Sequence, residues 1–95
     1  MATLYITEYS AYDLAPFEPP VAEQTVAIGV AAAASKPFNK NTVLVRLHTD
    51  NICSTLFSHD GTPATTSNQR MIAGQTTDKI VPKGQGLMVS VIANR

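Results

Sequence analysis

The sequence predicts an all-β fold, a small antiparallel β-sandwich or jelly-roll-like domain with an extended N-terminal arm. From residue 40 onward, short runs rich in Val, Ile, Leu and Thr recur at regular spacing between turn residues, which is typical of sandwiches and barrels. No segment of about 10–15 residues with helical periodicity intervenes, which disfavours β-α-β units. The length of 95 residues corresponds to one domain.

Five strands are predicted in the second half of the chain. Clusters of Asp, Asn, Gly and Pro interrupt its apolar runs and mark turns. The polar segment TPATTSNQ (62–69) is predicted to be a surface loop at the edge of the sandwich. The predicted strands are TVLVRLHTD (42–50), NICSTLFSHD (51–60), RMIAG (70–74), DKIVP (78–82) and GLMVSVIAN (86–94).

The first half divides into an N-terminal arm, residues 1–23, and the beginning of the sandwich domain, residues 24–95. TLYITEYS (3–10) has the alternation of a strand and is a candidate first strand within the arm. LAPFEPPVAE (14–23) carries three prolines. Because proline cannot donate to a strand ladder, we expect this part of the arm to be extended chain or loop.

Two patterns compete in the segment QTVAIGVAAAAS (24–35). Its four consecutive alanines favour a helix by intrinsic propensity. Its larger apolar residues instead recur at every second position, and Gly29 would weaken a helix. We therefore predict one strand whose apolar face consists of Val26, Ile28, Val30, Ala32 and Ala34.

Charge is low and unevenly distributed. Charged residues make up 15% of the chain and the net charge is zero, so we expect a partner to cover part of the surface. Residues 1–35 contain four carboxylates and no Lys or Arg; they form either a solvated acidic segment or an arm that docks on a basic surface of its own body or of a neighbour. The sequence has no basic cluster of the kind that binds nucleic acid and no apolar run long enough to span a membrane. We therefore predict neither a nucleic-acid partner nor a membrane partner.

The stretch HTDNICSTLFSHDG (48–61) holds both histidines and the only cysteine. A two-residue hairpin loop would place His48 opposite Cys53, as nucleophilic chemistry requires. A three-residue loop would pair Leu47 with Cys53 and turn His48 to the other face. The second register makes the better core, so we predict that Cys53 is structural. The predicted core residues are Val43, Val45, Leu47, Cys53, Phe57, Val89 and Val91.

Enzymatic function is not expected, and we predict no catalytic residue, cofactor or metal site. One cysteine and two histidines eleven residues apart do not match the ligand spacing of zinc sites. His59, Asp60 and Gly61 have the composition of a turn. No phosphate-binding glycine motif is present, so binding and assembly functions remain.

Aromatic residues favour an interaction near the N-terminus, because five of the six lie in the first 38 residues. Tyr and Phe are common anchors of protein interfaces. These rings either cap one end of the sandwich or belong to an arm that reaches onto a neighbouring subunit. The candidate interface residues are Tyr5, Tyr9, Tyr12, Phe17 and Glu18.

Residues 22–93 resemble a type of short protein encoded among the head genes of tailed bacteriophages. The similarity is carried by Phe38, VRLHTD, Cys53 and Phe57, TPATTSNQRMIAGQ, and VPKGQGLMVSVI. One departure is Ser58, which follows Phe57 where the family usually has glycine. The resemblance implies a structural virion protein, a capsid decoration (cement) protein that is made in the host cytoplasm and binds the major capsid protein on the exterior of the head.

The same resemblance implies a homo-oligomer, with a trimer favoured. Two alternatives stay open: a minor head–tail connector or tail protein, and, from another class, a glycan- or ligand-binding β-sandwich module. The chain contains no tryptophan, which weakens the glycan alternative, because sugar-binding platforms rely on exposed aromatic rings.

Overall fold

The computed structural model of the protein describes residues 2–13, 15–16 and 18–94. These residues form two four-stranded antiparallel sheets and one short hairpin, with no helix. The predicted all-β sandwich is therefore confirmed. Within the described ranges, no helix has the length and hydropathy needed to cross a membrane.

The first sheet contains the longer strands of the sandwich. Its inner strands are β1 and β6, and its edges are β4 and β9, so that the spatial order is β4-β1-β6-β9. All neighbours pair antiparallel. The strands are β1 (Thr3–Tyr9), β4 (Ala22–Ala27), β6 (Leu44–Thr49) and β9 (Thr76–Ile80).

The second sheet has two long inner strands and two very short edges, in the order β5-β10-β7-β8. Its neighbours are also antiparallel. Short edge strands offer little backbone to a foreign strand, which is one way in which β proteins avoid aggregation. The strands are β5 (Ala33–Ala34), β7 (Cys53–Ser58), β8 (Gln69–Met71) and β10 (Met88–Ala93).

The strand pairing is that of a rolled antiparallel ribbon. β4 pairs with β1, β5 with β10, β6 with β9 and β7 with β8, and successive pairs lie alternately in the first and second sheets. This is the pairing order of an eight-stranded jelly roll, with the difference that the strand paired with β4 precedes it in the chain. The predicted jelly-roll-like architecture follows from this order.

The core lies between the two sheets and includes most of the predicted core residues. Val45, Leu47, Cys53, Val89 and Val91 are completely buried. They come from inner strands of both sheets, so each contributes its full apolar area to the free energy of folding, at about 25 cal/mol per Å². The wider cluster also contains Leu4, Ile6, Val26, Ile28, Phe38, Met71 and Val81.

Two predicted core residues lie at the margin of this cluster. Phe57 is partly buried and meets Phe38 edge to face, with 6.0 Å between ring centroids. Val43 is only half-buried and lies outside the cluster. It precedes the first residue of β6, and its backbone joins Tyr9 and Val81 at the end of the first sheet. The prediction of Val43 as a core residue is therefore wrong.

The predicted hairpin between residues 42–50 and 51–60 does not form. β6 belongs to the first sheet and β7 to the second, so neither hairpin register exists. The chain crosses between the sheets after Thr49, whose hydroxyl donates to the carbonyl of Asn51 at 2.6 Å. The face assignment nevertheless holds, because the inner faces of both sheets border one core.

The predicted arm is shorter than residues 1–23, because its candidate first strand is an inner strand of the sandwich. β1 runs from Thr3 to Tyr9 and lies between β4 and β6. The described sandwich therefore begins at residue 3 instead of residue 24. What remains of the arm is an excursion between β1 and β4, described at residues 10–13, 15–16 and 18–21, which includes the hairpin of β2 (Tyr12–Asp13) and β3 (Ala15–Pro16).

The single strand predicted over residues 24–35 is two strands in different sheets. β4 ends at Ala27, and the chain crosses to the second sheet before β5 begins at Ala33. Ile28 still points into the core, but Val30, in the crossing segment, is 88% exposed. The period-two prediction is therefore correct as far as Ile28 and wrong beyond it.

Candidate interaction surface

The three residues that suggested an active site are separated in the structure. Cys53 is fully buried, and burial raises the pKa of its thiol. His48 lies on the outer face of the first sheet, with Nδ1 2.8 Å from Oγ1 of Thr76, and His59 lies on an exposed turn. Across the described part of the chain, no three His, Cys, Asp or Glu side chains are grouped to hold a metal ion.

The centre of the outer face of the first sheet is a row of polar and aromatic side chains across all four strands. The register aligns Thr25, Tyr5, His48 and Thr76 in that order. The rings of Tyr5 and His48 are 6.2 Å apart between centroids. Tyr5 is 46% exposed, so its aromatic ring lies at the middle of an open sheet face. Aromatic side chains in such central positions are typical anchors of protein interfaces.

The next row on this face contains an ion pair. The guanidinium of Arg46 donates two hydrogen bonds to Asp78, from Nε to Oδ1 at 2.8 Å and from NH2 to Oδ2 at 2.9 Å. These bonds lower the pKa of Asp78 and raise that of Arg46. Both side chains are more than one third exposed, so the pair adds little stability. By register the row also contains Thr7 and Glu23, so its net charge is the single negative charge of Glu23.

Tyr9 ends this face, and the excursion covers it. Only 4% of Tyr9 is exposed; its hydroxyl donates to Oε2 of Glu18 at 3.1 Å, and the Arg46 guanidinium lies 5.9 Å from its ring centroid. Burial and the Glu18 carboxylate raise the pKa of Tyr9. Tyr9 is therefore not an accessible interface residue, contrary to prediction. Tyr12 and Glu18 are exposed, and Phe17 lies outside the described residues.

The outer face of the second sheet is covered by the chain's own loop. The backbone N–H of Ala64 donates to Oγ of Ser90 at 2.9 Å. Asn94 donates through Nδ2 to Oγ of Ser54 at 2.7 Å and to the carbonyl of Thr66 at 3.2 Å. Ser54 and Ser90 are consequently buried although they face away from the core. The segment predicted at the sandwich edge (62–69) thus lies across the outer face of the second sheet. The outer face of the first sheet is the open one.

A buried carboxylate that sequence reasoning missed organises one end of the sandwich. Glu8 is 2% exposed. Its Oε1 accepts from the backbone N–H of Asn39 at 2.7 Å and from Oγ1 of Thr42 at 2.8 Å, and its Oε2 accepts from Nε2 of Gln24 at 3.2 Å. These bonds hold the segment before β6 against β1 and β4, and they satisfy a charge that would otherwise be costly to bury.

The sequence contained a signal for this burial. Glu8 follows Leu4 and Ile6 at period two, so it belongs to the face of β1 that points inward. By residue type alone, Glu8 groups with the other carboxylates of residues 1–35, because glutamate usually lies at the surface.

An open groove of about 660 Å³ runs between the edge strand β4 and the chain that follows β5. One side chain spans it: the amide of Gln24 accepts from the N–H of Lys36 at 2.9 Å and donates to the carbonyl of Lys36 at 3.2 Å. The Gln24 amide thus pairs with a backbone peptide unit as a neighbouring strand would. Other residues that line the groove are Glu23, Thr25, Ala27, Ala34 and Pro37.

Comparison of the chain with protein-family models, curated proteins and solved structures finds no match.

Proposed function

We propose that the protein is a structural component of a tailed-phage virion, a decoration protein that stabilises the head by binding capsid subunits. The open outer face of the first sheet is the binding surface, and its asymmetry with the covered face of the second sheet carries the proposal. The resemblance of residues 22–93 to small phage head proteins supports the same function. The protein acts on the exterior of the capsid after its synthesis in the host cytoplasm.

The chemistry of the open face suits such a role. Tyr5 offers a large ring with little side-chain entropy to lose. The ion pair of Arg46 and Asp78 neutralises two of the three charges in its row and leaves that of Glu23, so a capsid subunit without a strong negative charge can approach. Each contact is modest, but many copies on a closed shell act together, and avidity can exceed the affinity of one contact by orders of magnitude.

A density map of the particle tests the location. A decoration protein should occupy the capsid shell in copies of the same order as the capsid subunits. A single ring of copies at one vertex would contradict the proposal and favour the head–tail connector. Absence from the particle, together with glycan-array binding by the isolated protein, would favour the ligand-binding module.

A pair of matched variants tests the surface. Tyr5→Ala removes the aromatic anchor of the open face, and we expect at least a tenfold loss of affinity for heads that lack the protein, since hot-spot truncations cost about 2 kcal/mol or more and about 1.4 kcal/mol is tenfold. Thr66→Ala changes a side chain of the covering loop on the opposite face and should bind normally. Co-sedimentation with purified heads measures both. Equal binding by wild type and Tyr5→Ala would exclude this face as the contact.

A further inference from the structure

The edge strand β4 presents free backbone groups to the groove. The N–H of Ile28 donates to the carbonyl of Ala2 at 3.0 Å, in the same register as the rest of the β1–β4 pairing. Because hydrogen-bonded and non-bonded pairs alternate along antiparallel strands, the N–H and C=O groups of Glu23, Thr25 and Ala27 point away from β1. Among the described residues, no backbone group bonds to these outward groups, so the three residues form an open strand edge beside the groove.

The opposite edge of the same sheet carries more charge. The N–H of Val81 donates to the carbonyl of Val43 at 2.9 Å, so by the same alternation Thr76, Asp78 and Ile80 direct their backbone groups outward from β9. A second β9 centred on Asp78 would place two carboxylates directly opposite each other, which is destabilising. Charged residues on an edge are a common protection against strand pairing, whereas β4 carries one charge, Glu23.

We propose that β4 is the seam of a two-fold homodimer, in which a second copy of this chain adds its own β4 antiparallel to the first. With the two-fold axis at Thr25, Glu23 of each copy lies opposite Ala27 of the other. Every outward N–H and C=O of the three residues then has a partner in the other copy. The first sheets of the two copies then form one continuous sheet of eight strands, in which β4 pairs with the β4 of the other copy.

Side chains favour this register over its neighbours. Thr25 meets its own counterpart across the axis, and Thr–Thr pairs across antiparallel strands are favourable. Glu23 meets the small side chain of Ala27, so its carboxylate stays in solvent. Moving the axis to Glu23 would oppose two carboxylates and leave Ala27 unpaired.

The exposed apolar residues at the two ends of β4 point to the same arrangement. Val21 precedes the strand and is 37% exposed, and Val30 follows it and is 88% exposed. Antiparallel pairing about Thr25 brings the Val21 end of one copy to the Val30 end of the other. Two apolar side chains that are exposed in the single chain thereby gain apolar neighbours at each end of the seam.

The groove has room for the added strand. Its volume of about 660 Å³ lies along β4 itself, and the Gln24–Lys36 bridge fixes its far wall. The dimer does not depend on the proposed capsid function, and its symmetry is two-fold where the resemblance favours a trimer. Its test therefore uses the purified protein alone.

Molar mass in solution, measured by light scattering over a range of concentrations, tests the seam. Wild type should have about twice the chain mass of 10.1 kDa. Thr25→Pro removes an N–H that points to the seam. It breaks no hydrogen bond to β1, so we expect a folded monomer. Thr76→Pro, the same change at the outward edge of β9, should remain a dimer. A monomeric or trimeric wild type, or a dimeric Thr25→Pro, would overturn the proposal.

A cross-link keeps the test decisive if Thr25→Pro fails to fold. Thr25→Cys places two sulfurs across the two-fold axis, where Cα atoms of a hydrogen-bonded pair are about 5.5 Å apart, within disulfide reach. Under oxidised glutathione we expect a covalent dimer on a non-reducing gel. Thr76→Cys is the matched control and should stay a single chain, while buried Cys53 takes no part. No cross-link at position 25, or equal cross-linking at position 76, would contradict the seam.

Discussion

The two outer faces of the sandwich differ in what covers them. On the second sheet, Ser54 and Ser90 are small, and the loop of residues 62–69 lies over them with its own hydrogen bonds. On the first sheet, the long side chains of Tyr5 and Arg46 are more than one third exposed, and the face stays open. The covered face thus has small hydroxyl side chains where the loop bonds to it, whereas the open face has large amphipathic side chains at its centre.

This difference separates two kinds of mutational effect. Changes beneath the covering loop should lower the free energy of unfolding, because buried hydrogen bonds are lost. Changes on the open face should leave stability nearly unchanged and affect only binding.

The largest effect is expected at the covered face. Ser90→Ala leaves the buried N–H of Ala64 without its acceptor, so we expect the free energy of unfolding to fall by about 1–3 kcal/mol. Tyr5→Ala on the open face is the control and should change stability by about 0.5 kcal/mol or less. Urea denaturation followed by circular dichroism measures both. A Tyr5 variant that loses as much as the Ser90 variant would erase the distinction between the faces.

An intermediate effect is expected between the faces, in the core. Cys53→Ala removes a fully buried sulfur and should cost about 1–2 kcal/mol through lost contacts and a small cavity, while head binding stays at the wild-type level. Native Cys53 should also resist thiol reagents, since burial raises the pKa of its thiol and restricts access to it. Loss of binding without loss of stability would assign Cys53 a chemical role.

The smallest effect is expected on the open face itself. Asp78→Asn breaks the exposed pair with Arg46 and should cost up to about 1 kcal/mol at neutral pH. Because the pair lowers the pKa of Asp78 in the folded state, its contribution is complete above about pH 4 and is lost as the pH falls through that lowered pKa. In denaturation series from pH 7 downwards, the difference in unfolding free energy between variant and wild type should therefore be constant above about pH 4 and narrow at lower pH. A difference that does not narrow as the pH falls would mean that Asp78 acts through packing.

Periodicity in the sequence predicted which side chains face the core but not which strands are neighbours. The sequence predicts that Leu47 and Cys53 share one buried face of a hairpin, and both are buried. The hairpin is absent, because the two residues lie on opposite sheets. Alternation is a local property of one strand, whereas pairing depends on contacts far along the chain. A turn sequence such as Asp50-Asn51 serves a hairpin and a crossing between sheets equally well.

The interaction surfaces were only partly predictable for the same reason. Tyr5 was assigned to an interface and stands on the open face, but Tyr9, four residues later, is buried by the excursion. Nothing in the local sequence distinguishes the two tyrosines. The position of β4 at the edge of its sheet depends on strand order, since a strand is an edge only when no other strand of the sheet lies beyond it.

The inner position of β10 has a consequence for biosynthesis. Both β5 and β7 pair with Met88–Ala93, so the second sheet has no centre until those residues have left the ribosome. Earlier in synthesis, the apolar side of the first sheet lacks an inner strand of the layer that encloses it. Folds dominated by such distant pairings take milliseconds to seconds to form. The interval before β10 joins the sheet is therefore the period in which chaperones and low expression temperature should most improve the yield of folded protein.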